Sequence, residues 1–408
     1  MTDGAERARA ARAVGAVVVV QLLAMSLWFS ASAVVPELSV HWDLTPGDKA
    51  WLTASVQLGF VVGALASAIS NLSDRIAAQN VMAAGAVVGA ACTAAIPAFD
   101  ASLTSALWLR FGTGVALACV YPPGMKLAAS WTRAARGLGI GAVVGALTLG
   151  SALPHLFGAL ATDGTTTSWR TVLWCVSGFA LLASVLALAF LRPGPALARS
   201  APFDWRFATR SLTDRPLRLA NLGYLGHMWE LYAVWTWVPL FLLERFEALG
   251  WSSVSARWVA FGCVAAGGLG SVVAGWCADR VGRTRVAGTS LAVSGLCCLL
   301  AGTVADSGPA LVVLTLVWGF AVVADSAQFS AAASELSDPR YVGTALALQT
   351  SLGFLLTLVS IRLVPLVEAE AGWGAAFAVL ALGPIVGLVA MVRLARSPDG
   401  ARLAGGRG

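Results

Sequence analysis

The residues best suited to chemistry are a few ionisable side chains that lie inside long apolar runs. Glu230 follows His227 by three residues, so the two share one face of a helix, and Tyr224 lies one turn further back. Asp325 stands in a second apolar run, with Gln328 on its face. Charged groups in such runs often serve proton or solute pathways, and they also make structural hydrogen bonds. Glu230 and Asp325 are therefore candidates for proton coupling or solute binding, with structural pairing as the alternative.

Four more polar or aromatic residues in apolar runs are candidates for a site. Arg110 could handle a proton or solute, or it could pair with a backbone carbonyl or an acid. His155 and Arg362 lie near the ends of their runs and could line an outer gate, although an arginine at a helix end can also extend to solvent. Trp28 could stack on a solute, although tryptophan in such runs more often packs or anchors at the interface.

Composition indicates what kind of element holds these residues. Apolar residues make up 58% of the 408 residues and charged residues only 12%, and the mean hydropathy is +0.78. An ordinary globular chain carries roughly 25% charged residues. Runs of about 20 apolar residues recur, and that length crosses the hydrocarbon core of a bilayer. The sequence therefore predicts a multi-pass membrane protein with the lipid bilayer as its surroundings.

The apolar runs predict an all-α protein with twelve spans. They are placed at 14–36, 50–70, 79–97, 103–125, 137–158, 170–191, 218–243, 256–276, 286–305, 309–334, 342–365 and 374–393. The runs are apolar all round and do not alternate, which is typical of helices in lipid and not of strands. A start resembling a signal peptide, with arginines before an apolar run that ends in Ala31-Ser32-Ala33, is the alternative for the first span.

The distribution of Lys and Arg predicts the orientation. With both termini in the cytoplasm, 21 of the 27 basic residues lie in cytoplasmic segments, four lie outside and two lie within spans. Basic residues accumulate on the cytoplasmic side of membrane proteins. The net charge of +6 is thereby explained without a nucleic acid partner.

An internal repeat predicts two related halves. The stretch from Gly275 to Arg283, with Asp279 and Arg280, joins two spans, and a blurred copy lies 205 positions earlier at Asp74-Arg75. Such a period is typical of transporters with a site between two halves. The predicted division is an N-terminal half at 1–191, a cytoplasmic linker at 192–217 and a C-terminal half at 218–408. An Asp at a helix end beside Arg and Gly can form a latch that breaks in another conformation.

The sequence offers little that would support catalysis or a cofactor. The seven cysteines fall in or at the ends of spans without metal-ligand spacing, so they are expected to pack as small apolar residues. The phosphate-binding pattern GxxxxGK[ST] does not occur, and no nucleophile stands with a base. We therefore expect no catalytic residues, no metal and no cofactor, and the protein is not expected to be an enzyme.

Two motifs resemble those of a known family. The stretch Gly275-Trp-Cys-Ala-Asp279-Arg280-Val-Gly282-Arg283 resembles the loop motif of the major facilitator superfamily, and Leu107-Trp-Leu-Arg110-Phe-Gly-Thr-Gly114 resembles its fourth-helix motif. The resemblance implies a twelve-helix fold in two halves, a role of Arg110 in proton or solute handling, and a monomer. In the first half Ser70, Ala77 and Ala78 replace the Gly, Gly and Arg of the motif.

The resemblance implies a secondary transporter in a bacterial cell membrane. Three phrases, Trp28 to Pro36, Tyr121 to Lys126 and Ala324 to Ser330, resemble nitrate/nitrite and cyanate porters. A small solute moved by alternating access, with protons as the coupling ion, is the expected function. Efflux of amphipathic or drug-like compounds is the alternative, and a non-transporting membrane sensor with the same fold is an alternative of another class.

Overall fold

In a computed structural model the chain folds into a bundle of α-helices. The structure describes residues 2–132, 136–163, 166–195, 197, 204–338 and 341–408. The first helices are α1 (Thr2–Met25), α2 (Val35–Trp42), α3 (Pro46–Ile69), α4 (Leu72–Arg75), α5 (Ala78–Ala98), α6 (Leu103–Ala118), α7 (Tyr121–Trp131), α8 (Arg136–Leu160) and α9 (Trp169–Phe190). The remaining helices are α10 (Trp205–Thr213), α11 (Arg215–Ala248), α12 (Ser253–Val281), α13 (Arg283–Leu300), α14 (Gly308–Ala324), α15 (Ser326–Leu336), α16 (Val342–Leu380) and α17 (Leu382–Ala395).

Short irregular elements complete the described chain. A 3-10 turn spans Ser32–Val34, and another spans Pro398–Gly405 near the C-terminus. Between α8 and α9, the two-residue strands β1 (Thr162–Asp163) and β2 (Thr166–Thr167) pair antiparallel in a hairpin. These strands lie in a connection and not in an apolar run.

The prediction of an all-α membrane protein is confirmed. Among the described residues, nine helical segments are long and apolar enough to cross a membrane. One of them, Val342–Ala395, contains two predicted spans, and Gly372 with φ 77° breaks the helix between them. The two predicted spans outside this set lie in α11 and α13, which carry more polar residues. The count of twelve spans stays a prediction.

Three of the predicted spans are broken within the bundle. α1 ends at Met25, and the chain resumes regular structure only at the 3-10 turn. The fourth predicted span breaks between α6 and α7, and the tenth breaks at Asp325 between α14 and α15. Because the fourth and tenth spans are counterparts in the predicted repeat, their breaks fall at equivalent positions.

Glycine lets equivalent helices approach closely in both parts of the bundle. A Cβ on Gly114 of α6 would lie 1.9 Å from the Val56 carbonyl oxygen of α3. A Cβ on Gly319 of α14 would lie 1.9 Å from the Cys263 carbonyl oxygen of α12. Small residues at such contacts allow helix backbones to pack closely in lipid. The repeated contact fixes α6 against α3 and α14 against α12.

Gly319→Ala should destabilise the protein, because the added methyl group meets a backbone carbonyl that cannot rotate away. We expect a loss of about 1–3 kcal/mol, the usual cost of overpacking, seen as a lower midpoint of thermal unfolding in detergent. Gly178→Ala in α9 is the control, since a Cβ there meets nothing within 4 Å. Equal midpoints for the two variants would contradict the close approach.

Candidate functional site

A central cavity lies between helices of the two parts of the bundle. Its lining includes aromatic, methionine and hydroxyl side chains: Tyr121, Tyr224, Tyr232, Trp235, Phe354, Met125, Met228, Thr148, Ser326, Ser330 and Thr350. Within the described part of the chain, none of the lining residues is charged. The cavity therefore suits a solute with an apolar or aromatic body and a few hydrogen-bonding groups.

An aromatic plug, formed by Trp28, Phe60, Tyr232 and Phe354, packs at one end of this cavity. The ring centroids of Trp28 and Phe60 lie 4.9 Å apart, and those of Trp28 and Phe354 lie 5.3 Å apart. Trp28 is fully buried, so in this conformation it packs in the plug. The plug joins α3 and the broken first span to α11 and α16.

A second cavity, here termed the vestibule, is lined by residues of α3, α8, α11 and α12 and of the segment around Ser32. Along α11 the central cavity is lined at 224–235 and the vestibule at 236–243, so the two lie at successive levels. Arg257 in the vestibule donates to the Glu37 carboxylate and, over 3.2 Å, to the Ala33 carbonyl oxygen. The ion pair connects α12 to α2, and the bond to Ala33 connects α12 to the turn just before α2.

The two predicted gate residues lie in different places. His155 is buried and lines the vestibule. Arg362 does not line it; its guanidinium lies 5.1 Å from the ring centroid of Trp51, which connects α16 with α3. Both residues lie near contacts between the two parts of the bundle, but only His155 lines the vestibule together with Arg257.

Arg110 is fully buried and supports the broken first span. Its Nη1 donates to the Leu27 carbonyl oxygen over 2.8 Å and to the Ser30 hydroxyl over 2.9 Å. Nη2 donates to the Trp28 carbonyl oxygen, and Nε donates to that of Leu52 over 3.4 Å. An unpaired carbonyl inside a bilayer is costly. In this conformation Arg110 thus supplies the donors that the interrupted helix lacks.

His227 and Asp325 form a buried pair at the joint between α14 and α15. The His227 Nδ1 and an Asp325 carboxylate oxygen lie 2.8 Å apart, and both side chains are almost fully buried. They do not line the central cavity, but their chain neighbours Met228 and Ser326 do. The pair therefore lies directly behind the cavity wall.

Glu230 shares a helix face with His227, yet its side chain has different partners. Its carboxylate accepts a hydrogen bond from Trp318 Nε1 over 2.6 Å, from the Ser294 hydroxyl over 2.9 Å and from the Cys298 thiol over 3.1 Å. These donors come from α13 and α14, so Glu230 is held away from the cavity in a polar cage. In this conformation Glu230 thus makes structural hydrogen bonds, which is the alternative that the sequence analysis gave for it.

The predicted latch residues gather at the turn between α12 and α13. Gly282 makes this turn with φ 105°, a conformation that favours glycine. Arg283 is bound by both oxygens of Glu335 at the end of α15, with Nη2 at 2.6 Å from Oε1, and its Nη1 lies 3.6 Å from Asp279. Arg280 is exposed instead and stacks over Trp276.

The other predicted latch residues contribute less. Gly275 is buried in α12, close to Gly141 of α8. Arg75 is exposed at the end of α4, and the Asp74 side chain lies outside the described residues. Gln328, predicted to share a face with Asp325, accepts a hydrogen bond from Arg283 Nη1 over 3.3 Å. It therefore connects the latch to the helix turn that follows Asp325.

Several important contacts were not found from the sequence. Glu335 and Glu37 lie near helix ends, where an acidic residue is not unusual in a sequence. Only their contacts with Arg283 and Arg257 in the structure identify them. Phe60 and Phe354 look like ordinary apolar residues in apolar runs. Their role in the plug depends on which helices meet across the bundle.

A membrane-embedded helical bundle that encloses one central cavity between two sets of helices is the architecture of a membrane transporter. The chain belongs to the Major Facilitator Superfamily, whose sequence profile matches residues 17–247 and 220–408. Among curated proteins none matches this sequence. Family members are transporters and not enzymes, so this protein is a multi-pass membrane transport protein.

Solved structures have the same fold. The human organic anion transporter MFSD10 (TETRAN) matches with a TM-score of 0.70 and 18% identity, over 94% of this chain and 99% of that chain. The proton:xylose symporter XylE, bound to 6-bromo-6-deoxy-D-glucose, matches with a TM-score of 0.72 and 15% identity, over 97% and 98%. A bacterial homolog of the human lysosomal transporter Spinster, inward-facing and unoccupied, matches with a TM-score of 0.66 and 15% identity, over 95% of each chain. At these identities the likeness shows the fold alone.

Arg110→Gln should destabilise the protein because the shorter amide cannot reach all the oxygens that Arg110 binds. We expect a loss of about 2–5 kcal/mol, since each buried unpaired group costs roughly 1–3 kcal/mol, measured as a lower midpoint of thermal unfolding. Arg170→Gln is the control, because Arg170 makes an exposed ion pair with Asp100. A loss no larger than that of the control would show that Arg110 does not hold the first span.

Proposed function

We propose that the protein is a secondary active transporter that moves a small solute across a bacterial cell membrane by alternating access, coupled to protons. The observation that carries this proposal is the His227–Asp325 pair, which lies one residue behind the wall of the central cavity. In keeping with the distribution of basic residues, both termini lie in the cytoplasm and the vestibule faces outward.

Asp325 is placed so that a change in its charge would alter the helix that lines the cavity. It lies at the joint between two helices, and the next residue, Ser326, lines the cavity. Protonation of the His227–Asp325 pair changes how strongly the two residues attract each other, and so changes how α11 holds the joint. Solute binding at Met228 and Ser326 acts on the same helices, which gives the two events a shared mechanical element.

The cavity lining favours a neutral or amphipathic solute. Charged candidates recognised in the sequence do not line it, so they support coupling better than direct binding of a charged substrate. Two methionines and several aromatic rings form an adaptable apolar surface, which is common at sites that accept varied ligands. Efflux of amphipathic compounds is therefore the second candidate. The substrates of the solved relatives are not transferred, since the likeness shows the fold alone.

The predicted latch is a second contact that has to change during the proposed transport cycle. Arg283 joins the α12–α13 turn to Glu335, and the side chain of Arg283 is only 5% exposed. Through Gln328 it also contacts the helix whose first turn follows Asp325. We infer that this contact forms in the present conformation and loosens when α15 moves.

Asp325→Asn should abolish transport driven by a pH gradient and leave solute exchange less affected, because the amide cannot release a proton. Amphipathic and neutral compounds that raise the unfolding midpoint of the purified protein serve as solutes in proteoliposomes with a trapped pH indicator. His227→Gln is expected to have the same effect.

Asp306→Asn is the matched control, since Asp306 is exposed and pairs with Arg245 outside the bundle core. Gradient-driven accumulation that is unchanged in Asp325→Asn and His227→Gln would contradict coupling through this pair. Binding without any flux in the unmodified protein would instead support the membrane sensor.

Glu335→Gln should weaken the latch, because Arg283 would keep its buried charge without an anionic partner. We expect a loss of about 3 kcal/mol, typical of breaking a buried pair, together with slower transport. Arg280→Gln is the control at the same turn, since Arg280 stacks on Trp276. The double variant Arg283→Gln/Glu335→Gln should recover part of the stability; no recovery would show that the pair does not act as a unit.

A further inference from the structure

The vestibule combines three basic side chains with a largely apolar lining. Arg257, Lys49 and His155 line it, together with apolar residues that include Trp237 and Leu240. Trp237 Nε1 donates to the Ile361 carbonyl oxygen over 2.9 Å, so its ring is held in one orientation. Cationic groups at one side of an apolar pocket are the arrangement that binds an organic anion.

Two nitrogen atoms in this cavity have no hydrogen-bond partner among the described residues. They are Nε of Arg257 and Nε2 of His155, and both side chains are more than nine-tenths buried. Buried polar atoms normally have partners, and unpaired ones commonly mark a site for a water, an ion or a ligand. Here the two unpaired atoms belong to residues that line one cavity with Lys49.

We propose that the vestibule is a binding site for a small organic carboxylate. The carboxylate binds Arg257, with Lys49 and His155 supplying further contacts, and the apolar body of the ligand packs against Trp237 and Leu240. This site is distinct from the uncharged central cavity, and its occupancy does not depend on whether the protein couples transport to protons.

The protein's own Glu37 already binds Arg257 in the present conformation, although Glu37 does not itself line the vestibule. Its carboxylate accepts from Arg257, while its second oxygen has no partner among the described residues. Glu37 therefore makes the contact that an incoming carboxylate would make. An anion that displaces Glu37 from Arg257 also removes an ion pair that joins α12 to α2. Binding at this site thus favours opening of the vestibule.

Benzoate is a suitable probe, with benzamide as its neutral counterpart. We expect benzoate, added to the purified full-length protein at constant ionic strength, to raise the unfolding midpoint, and benzamide to have little effect. Glu37→Gln should bind benzoate roughly tenfold more tightly, because the internal competitor is lost. Arg257→Gln should bind it at least about tenfold more weakly, as expected for loss of a charge-assisted hydrogen bond. Lys49→Gln should weaken binding less.

Because Arg257→Gln leaves Glu37 unpaired, the double variant Glu37→Gln/Arg257→Gln keeps the test independent of folding. It should be stable and should not bind benzoate, whereas Arg245→Gln, at an exposed ion pair, should bind like the unmodified protein. Benzoate binding that survives in the double variant, or Glu37→Gln binding that is no tighter, would overturn the proposal. Equal binding of benzamide would show that the apolar walls and not the basic residues hold the probe.

Discussion

The fold depends on satisfying every backbone polar group without water. In lipid an unpaired carbonyl or amide group costs several kcal/mol, so a helix can break only where other groups replace its lost hydrogen bonds. The first and fourth predicted spans supply these replacement hydrogen bonds to each other. Arg110 of α6 donates to the carbonyl oxygens of Leu27 and Trp28 in the break after α1. Gln21 of α1 donates to those of Val120, in the break after α6, and Tyr121, at the start of α7. The two interruptions are thus one structural unit.

This unit also positions the cavity. Tyr121, which follows the break in the fourth span, lines the cavity, and Trp28, in the break of the first span, reaches the aromatic plug. The counterpart in the C-terminal part of the bundle is built differently. α11 runs unbroken from Arg215 to Ala248, and the break at Asp325 faces His227 instead of an arginine. One side of the bundle therefore has an arginine at its joint, and the other has a histidine–aspartate pair.

The sequence was sufficient for the class of fold because composition and run length are properties of single segments. The apolar runs located the helices, and the glycine-rich motif near Gly282 located the turn between α12 and α13. Gly114 and Gly319, which make equivalent contacts, are separated by the same 205 positions as the two copies of the loop motif. These inferences need only local periodicity and the requirement that backbone groups pair within the helix.

The candidate site was less predictable because side-chain direction depends on tertiary packing. The spacing of His227 and Glu230 suggested one shared environment, yet a rotation of about 60° between residues three apart is enough to give them different partners. Glu230 meets Trp318 and Ser294, whereas His227 meets Asp325. Helical periodicity identifies a face but not which neighbouring helix covers each part of it.

Three contacts follow one another along α15 and the residue before it. Asp325 lies at the joint with its partner His227, Gln328 lies one turn further on and binds Arg283, and Glu335 at the end of α15 binds the same arginine. A rigid helix of 11 residues transmits a tilt at one end to the other. Movement at the buried pair and movement at the latch are therefore not independent, since the same short helix must satisfy both sets of contacts.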